Sequence, residues 1–139
     1  MNQIKKNNIL ALDVGAVRIG LAMATYQTHL VRPLDTILND ENLNLNLKKI
    51  ITDNNINVLV VGLPRNLAGE KTLQTEYVEK FVTDELKQFK ISIVYQDETL
   101  TSVKAQELLE KSGKIYKKSD IDTYSASLIL EDYLMVIKK

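Results

Sequence analysis

An acid at the end of an apolar strand is the feature that most restricts what this chain can become. Ile9–Leu12 is wholly apolar, Asp13 closes it, and Val14-Gly15-Ala16 turns the chain into a second apolar run, Arg18–Met23. That spacing predicts an antiparallel hairpin. A carboxylate in such a place is unusual without a partner, because a charge leaving water is costly unless it is neutralised. Pairing with Arg18 would be a purely structural answer; membership of a shared site is the other.

The rest of the chain reads as alternating periods. Leu34–Leu38, following Pro33, is a third strand, and proline suits a strand's beginning or edge. Leu43, Leu47, Ile50 and Ile51 fall on one helical face, although the alternation Leu43, Leu45, Leu47 also fits a strand. Val58–Val61 is the short apolar strand expected at the centre of a parallel sheet. A helical stripe follows at Leu73, Tyr77, Phe81 and Leu86, then a strand at Ile91–Tyr95. Thr101 is placed to cap a helix carrying Val103, Leu108 and Leu109. A basic loop over 113–119 leads to a last helix with Tyr124, Leu128, Ile129 and Leu134 towards the core. Tyr77, Phe81, Tyr124 and Tyr133 read as core residues, and His29 as an exposed loop residue. The order β-β-β-α-β-α-β-α-α predicts an α/β fold. Its mixed five-stranded sheet has three antiparallel N-terminal strands plus two parallel ones, with helices on both faces.

Bulk properties narrow the function. The 139 residues fit one domain, and no repeat or Pro/Gly/Ser linker divides them. Without cysteine there is no disulfide and no thiolate metal site. The polar start and the short apolar run after it do not make a signal peptide, and no run approaches the ~20 residues of a membrane span. The expectation is a cytoplasmic protein with no membrane association. Eighteen basic and eighteen acidic residues cancel, so a polyanion has to be gripped locally or through metal.

Three acidic positions coincide with places where α/β folds gather loops into sites. Asp13 closes one strand, Asp97-Glu98 follows another, and Asp120 and Asp122 open the final helix. Bland readings exist for each. Asp120 and Asp122 could complement the helix dipole behind a Ser119 cap, and Glu98 could be a solvated turn residue. If Asp13, Glu98 and Asp122 converge, two unit charges ~4 Å apart repel by ~4 kcal/mol at an effective dielectric of 20, so a cation belongs among them. An all-oxygen donor set selects Mg²⁺ or Mn²⁺. Such ions activate water and stabilise the leaving oxygen of a phosphodiester.

The residues also carry a family resemblance, in four blocks that occur in order. These are Leu10–Ala22, Val60–Asn66 followed by Gly69, Asp97–Thr101, and Ile121-Asp122 leading through Ala126 and Leu128–Leu130 to Tyr133-Leu134. Together they resemble the YqgF family of pre-16S rRNA nucleases, relatives of Holliday junction resolvases with an RNase H-like fold. The resemblance implies that Asp13, Glu98 and Asp122 are catalytic and hold a divalent metal. It further implies a role in maturing the 5′ end of 16S rRNA, and either a monomer or a weak homodimer. Arg18 and Arg65, in or beside the signature blocks, are the expected phosphate contacts, together with Lys117 and Lys118. The chain departs from the family pattern at Ala24-Thr25, where a Ser-Asp pair is usual, and at Thr99, where an arginine is usual. Without that guanidinium a planar phosphate clamp is missing.

Three other readings compete with an rRNA nuclease. One is a non-catalytic assembly factor that binds rRNA, and a second is a resolvase acting on branched DNA. The third, an actin-like ATPase built on Asp13-Val14-Gly15, needs two lobes to sandwich its nucleotide, and the sequence supplies one.

Overall fold

The computed structural model describes residues 8–98, 101–113 and 117–137; for 101–106, 118 and 119 it describes the backbone. Five strands form one sheet in the order β3-β2-β1-β4-β5. They are β1 (Asn8–Val14), β2 (Arg18–Thr25), β3 (Arg32–Leu38), β4 (Ile56–Pro64) and β5 (Ser92–Glu98). β1–β2 and β2–β3 are antiparallel, β1–β4 and β4–β5 parallel. The mixed sheet expected from the sequence is therefore the sheet observed. Pro33 sits on β3, an edge strand, where its missing N–H interrupts no central ladder.

Strand alternation sorts the core into two layers. Leu10, Leu12, Val14, Ile19, Leu21, Leu59, Val61 and Leu63 face helices α1 (Leu43–Asp53) and α2 (Leu73–Phe81). Ile9, Ala11, Ala22, Ala24 and Val60 face α4 (Lys118–Ile137), which contributes Ala126, Ile129, Leu130, Tyr133 and Leu134. The alanines on this second face let α4 lie close to the sheet. Helix α3 (Thr101–Ser112) packs against α4. Among the described residues, no helix is long and apolar enough to cross a membrane.

The Leu43–Leu47 alternation resolves as a helix, with Leu43 and Leu47 buried and Leu45 outside. Leu86 lies five residues after Phe81, and both are buried because α2 runs into a π turn over Val82–Leu86. A wider turn of this kind brings positions i and i+5 to one face. Two expected core aromatics are corrected. Tyr77 is 38% exposed, and its hydroxyl accepts from Asn39 Nδ2 at 2.9 Å. Tyr124 is 44% exposed, because α4 turns Ser125–Ala126, Ile129–Leu130 and Tyr133–Leu134 to the sheet and leaves the preceding position outside. Leu73 is likewise a surface residue, since Thr75, Val78 and Phe81 form the buried stripe of α2.

The start of α2 is fastened to the end of β4. Thr72 accepts from the Thr75 amide at 3.3 Å, while the Thr75 hydroxyl accepts from the Thr72 amide at 2.9 Å and donates to the carbonyl of Pro64. Thr75→Val should lose the return bond from the Thr72 amide and the tie to Pro64, while the Thr75 amide still reaches Thr72. A loss of about 2 kcal/mol in chemical denaturation is expected from these paired bonds. An unchanged midpoint would show that the start of α2 is held by apolar packing alone.

Candidate active site

Period two decides which side chains meet. Ile9 and Ala11 point towards α4, so Asp13 does too. On β4 the same parity continues from Val60 to Gly62, and on β5 it runs from Val94 to Glu98. On β2 it takes in Ala22, Gly20 and Arg18. The strand ends therefore present Asp13, Glu98 and Arg18 on the face that α4 covers.

Two glycines flank Asp13 and make that convergence possible. Gly20 is its partner across the β1–β2 ladder, and a Cβ there would overlap the backbone carbonyl of Asp122. The first turns of α4 thus lie directly on β2 and carry Asp122 in. On the other flank, Leu12 pairs with Val61, which sets Asp13 next to Gly62. A Cβ at Gly62 would overlap Glu98 Oε2 and Ile129 Cδ1. The Glu98 carboxylate occupies the space that a side chain at position 62 would fill, and its Oε2 is shielded from water. Asp13, Glu98 and Asp122 line one pocket of about 320 Å³ with Val14, Gly15, Gly62, Pro64, Gln74 and Val78. A larger groove of about 440 Å³, lined by Val31, Pro33, Leu108, Tyr124 and Leu128 among others, gathers no such set of charges.

The electrostatics follow from this crowding. Burial pushes the Asp13 carboxyl up from 3.8 to about 8, and the nearby Glu98 and Asp122 charges push in the same direction. The wholly buried Ser125 hydroxyl beside it opposes the rise, although it stands short of a formed hydrogen bond. Arg18 does not pair with Asp13. Its Nε donates to Asp122 Oδ2 at 3.0 Å, with each side chain a little over a quarter exposed. The guanidinium neutralises the outermost carboxylate and leaves the inner one uncompensated.

The other expected residues divide. Glu98 is a strand residue and no solvated turn, because β5 stays paired with β4 as far as Pro64 and Glu98. Asp120 and Asp122 separate by role. Asp120 Oδ2 accepts from the Lys117 amide at 2.9 Å and closes the start of α4, while Asp122 faces the pocket. The helix begins before Ser119, which is why the cap falls to Lys117 and Asp120. Arg65 lies apart from the pocket. Its Nε donates to Asp97 Oδ1 at 3.1 Å, and Asp97 points to the opposite face from Glu98. Lys117 is exposed; Thr99 and the side chain of Lys118 lie outside the described residues.

Ser125 and Gln74 were not foreseen. Ser125 follows Asp122 by three residues on a helix, a spacing that places both on one face. Gln74 comes from the capped start of α2, and its Nε2 donates to the Val14 carbonyl at 3.3 Å. Nothing in the local sequence announces it.

The donor set, three carboxylates without histidine or cysteine, suits a hard divalent cation. Among the described residues, no three acidic or imidazole side chains stand at the spacing of a closed metal cluster. Asp122 lines the pocket while paired with Arg18, so a cation there would compete with the guanidinium for its carboxylate.

Comparison with known proteins agrees with this architecture. A protein of Sulfurihydrogenibium sp. is 38% identical over 131 residues, covering 92% of this chain and 90% of its own length. One of Buchnera aphidicola is 39% identical over 134 residues, covering 94% and 98%. Both carry the name "Putative pre-16S rRNA nuclease". Thermus thermophilus RuvC in complex with a Holliday junction substrate superposes with a TM-score of 0.57 at 11% identity, covering 94% of this chain and 96% of that one. Fowlpox virus resolvase with Holliday junction DNA gives 0.53 at 13%, covering 95% and 99%. The fold is thus RNase H-like, of the resolvase kind. With the RuvX family model, described as Holliday junction resolvase, matched over residues 7–136, the chain belongs to that family.

Proposed function

We propose that the protein is a phosphodiester hydrolase: a nuclease domain spanning the chain that cuts the precursor of 16S rRNA at its 5′ end in the cytoplasm. The observation that carries this reading is the convergence of Asp13, Glu98 and Asp122 on one pocket at the ends of the sheet strands. Those three carboxylates would hold Mg²⁺ or Mn²⁺. Such an ion supplies hydroxide from water and stabilises the leaving oxygen of a phosphodiester. The names of the relatives favour rRNA as the substrate.

Each residue contributes in its own way. Asp13, half-buried at the end of a central strand, offers an inner carboxylate whose direction the sheet fixes. Glu98 reaches over Gly62 to the same place, and Asp122 closes the set from α4. Arg18, once Asp122 turns away, presents a free guanidinium at the pocket mouth suited to a phosphate oxygen. Lys117 and Lys118 extend the basic contact at the start of α4. Arg65, held by Asp97 and Gly69, would contribute only peripheral contact.

The test is a labelled RNA spanning the 16S precursor 5′ region, incubated with Mn²⁺, Mg²⁺ or EDTA beside the Asp13→Asn protein. Cutting that needs metal and disappears in the mutant is expected. RNA that is bound and left intact with either metal would instead favour a non-catalytic assembly factor. A second substrate reading rests on the fold shared with two resolvases that bind Holliday junctions. Preference for a four-way DNA junction over the RNA, with a dimer at working concentration, would select it.

A further inference from the structure

Two serines of the last helix, Ser125 and Ser127, are buried, and they behave differently. Ser127 Oγ donates to the Thr123 carbonyl at 3.1 Å, the common way for a helical serine to satisfy itself within its own backbone. Ser125, 0% exposed, makes no such bond, and its Oγ has no hydrogen-bond partner among the described residues. A buried hydroxyl left in that state costs about 1–3 kcal/mol. Alanine, which occupies the next position on the same face, would avoid the cost. The Asp122 backbone lies on Gly20, the cross-ladder partner of Asp13, and the i, i+3 relation of Ser125 to Asp122 puts this serine on the same side of α4 as that acid.

We propose that Ser125 is a positioning residue of the carboxylate site, whose hydroxyl donates to one oxygen of Asp13 and leaves the other aimed at the cation. This inference rests on the metal-dependent reading above. Packing of α4 against the sheet fixes where the hydroxyl sits, and cation binding supplies the reason to complete the bond. Once Asp13 is drawn into a ligand set, an unsupported carboxylate can rotate about its terminal bond, and a fixed donor on one oxygen removes that freedom. Partners that orient a ligating side chain in this way typically change metal affinity or activity by 10–100-fold when removed. Ser125 is well suited to the task because it comes from α4, the element that also brings Asp122. The helix therefore sets one ligand and orients another in a single packing arrangement.

The experiment measures Mn²⁺ binding to the whole protein by titration calorimetry, without nucleic acid, for the wild type, Ser125→Ala and Ser127→Ala. Melting of each metal-free protein is followed in parallel. Ser125→Ala should weaken Mn²⁺ binding about tenfold, while the protein without added metal still unfolds in one cooperative transition. Ser127→Ala should leave Mn²⁺ affinity unchanged. In cleavage assays Ser125→Ala should lower kcat with little effect on the KM for RNA. Wild-type Mn²⁺ affinity in Ser125→Ala would overturn the assignment and leave the nuclease reading standing. A wild-type protein that binds no Mn²⁺ would overturn both together.

Discussion

Asp13→Asn should make the metal-free protein more stable at pH 8.5 while cleavage falls by at least about a thousandfold, the scale of losing a group that acts in the chemistry. Burial, Glu98 and Asp122 together raise the folded-state pKa of Asp13 to about 8, against 3.8 for an unperturbed aspartate. Between those values the folded protein binds a proton that the unfolded chain has released. Stability therefore declines as pH rises from about 4 to about 8, and the full cost is present above pH 8. Asparagine mimics the protonated acid at every pH. A gain of about 2 kcal/mol, or roughly 6 °C in melting temperature for a chain of this size, is expected at pH 8.5. The gain should shrink towards zero at pH 4, and saturating Mn²⁺ should stabilise the wild type alone. Equal melting temperatures at pH 8.5 would mean that the inner carboxylate is not strained, and the charge-convergence argument would fail with it.

The second large effect is expected at a residue with no functional group. A methyl group at position 62 meets Glu98 Oε2 on one side and Ile129 Cδ1 on the other. Glu98, ending a flexible side chain, gives way more readily than the packed core. Gly62→Ala should therefore swing the Glu98 carboxylate out of the pocket. Misplacing a reacting group by ~1 Å costs on the order of a hundredfold in rate, and overpacking adds about 1–3 kcal/mol of destabilisation. The informative comparison is with Glu98→Gln, which should lose activity without the packing penalty. Near-wild-type cleavage by a well-folded Gly62→Ala would show that Glu98 has a second productive position. Gly20→Ala should act differently, because its methyl meets the Asp122 backbone rather than a mobile side-chain end. That change should unseat α4 and lower stability first.

Much of the sheet was legible because its signals are local. Ile9–Leu12 and Val58–Val61 are too short and too apolar for surface elements, and they became the two central strands, paired in parallel. Asp13 stood out as a polar interruption of one of them. Strand ends were less legible: β4 and β5 run on to Pro64 and Glu98 because each extends the other's ladder, a gain invisible within either segment. The rotation of the helices was misjudged at Tyr77 and Tyr124. Each aromatic fits a helical stripe, but which stripe is buried depends on where the sheet allows approach.

By itself, the sequence determined the element order, the mixed sheet and the three carboxylates worth following, since alternation, apolar runs and misplaced charges are properties of neighbouring residues. Only the tertiary structure decided how those acids meet. Arg18 lies 104 positions from Asp122, yet pairs with it rather than with Asp13. Asp120 caps the helix that Asp122 leaves for the pocket, and Gly20 and Gly62 hold open the space that lets α4 and Glu98 close on Asp13. Such relations depend on which side chains share one face of a sheet and how closely a helix can lie upon it. A chain acquires those distances only when its layers pack.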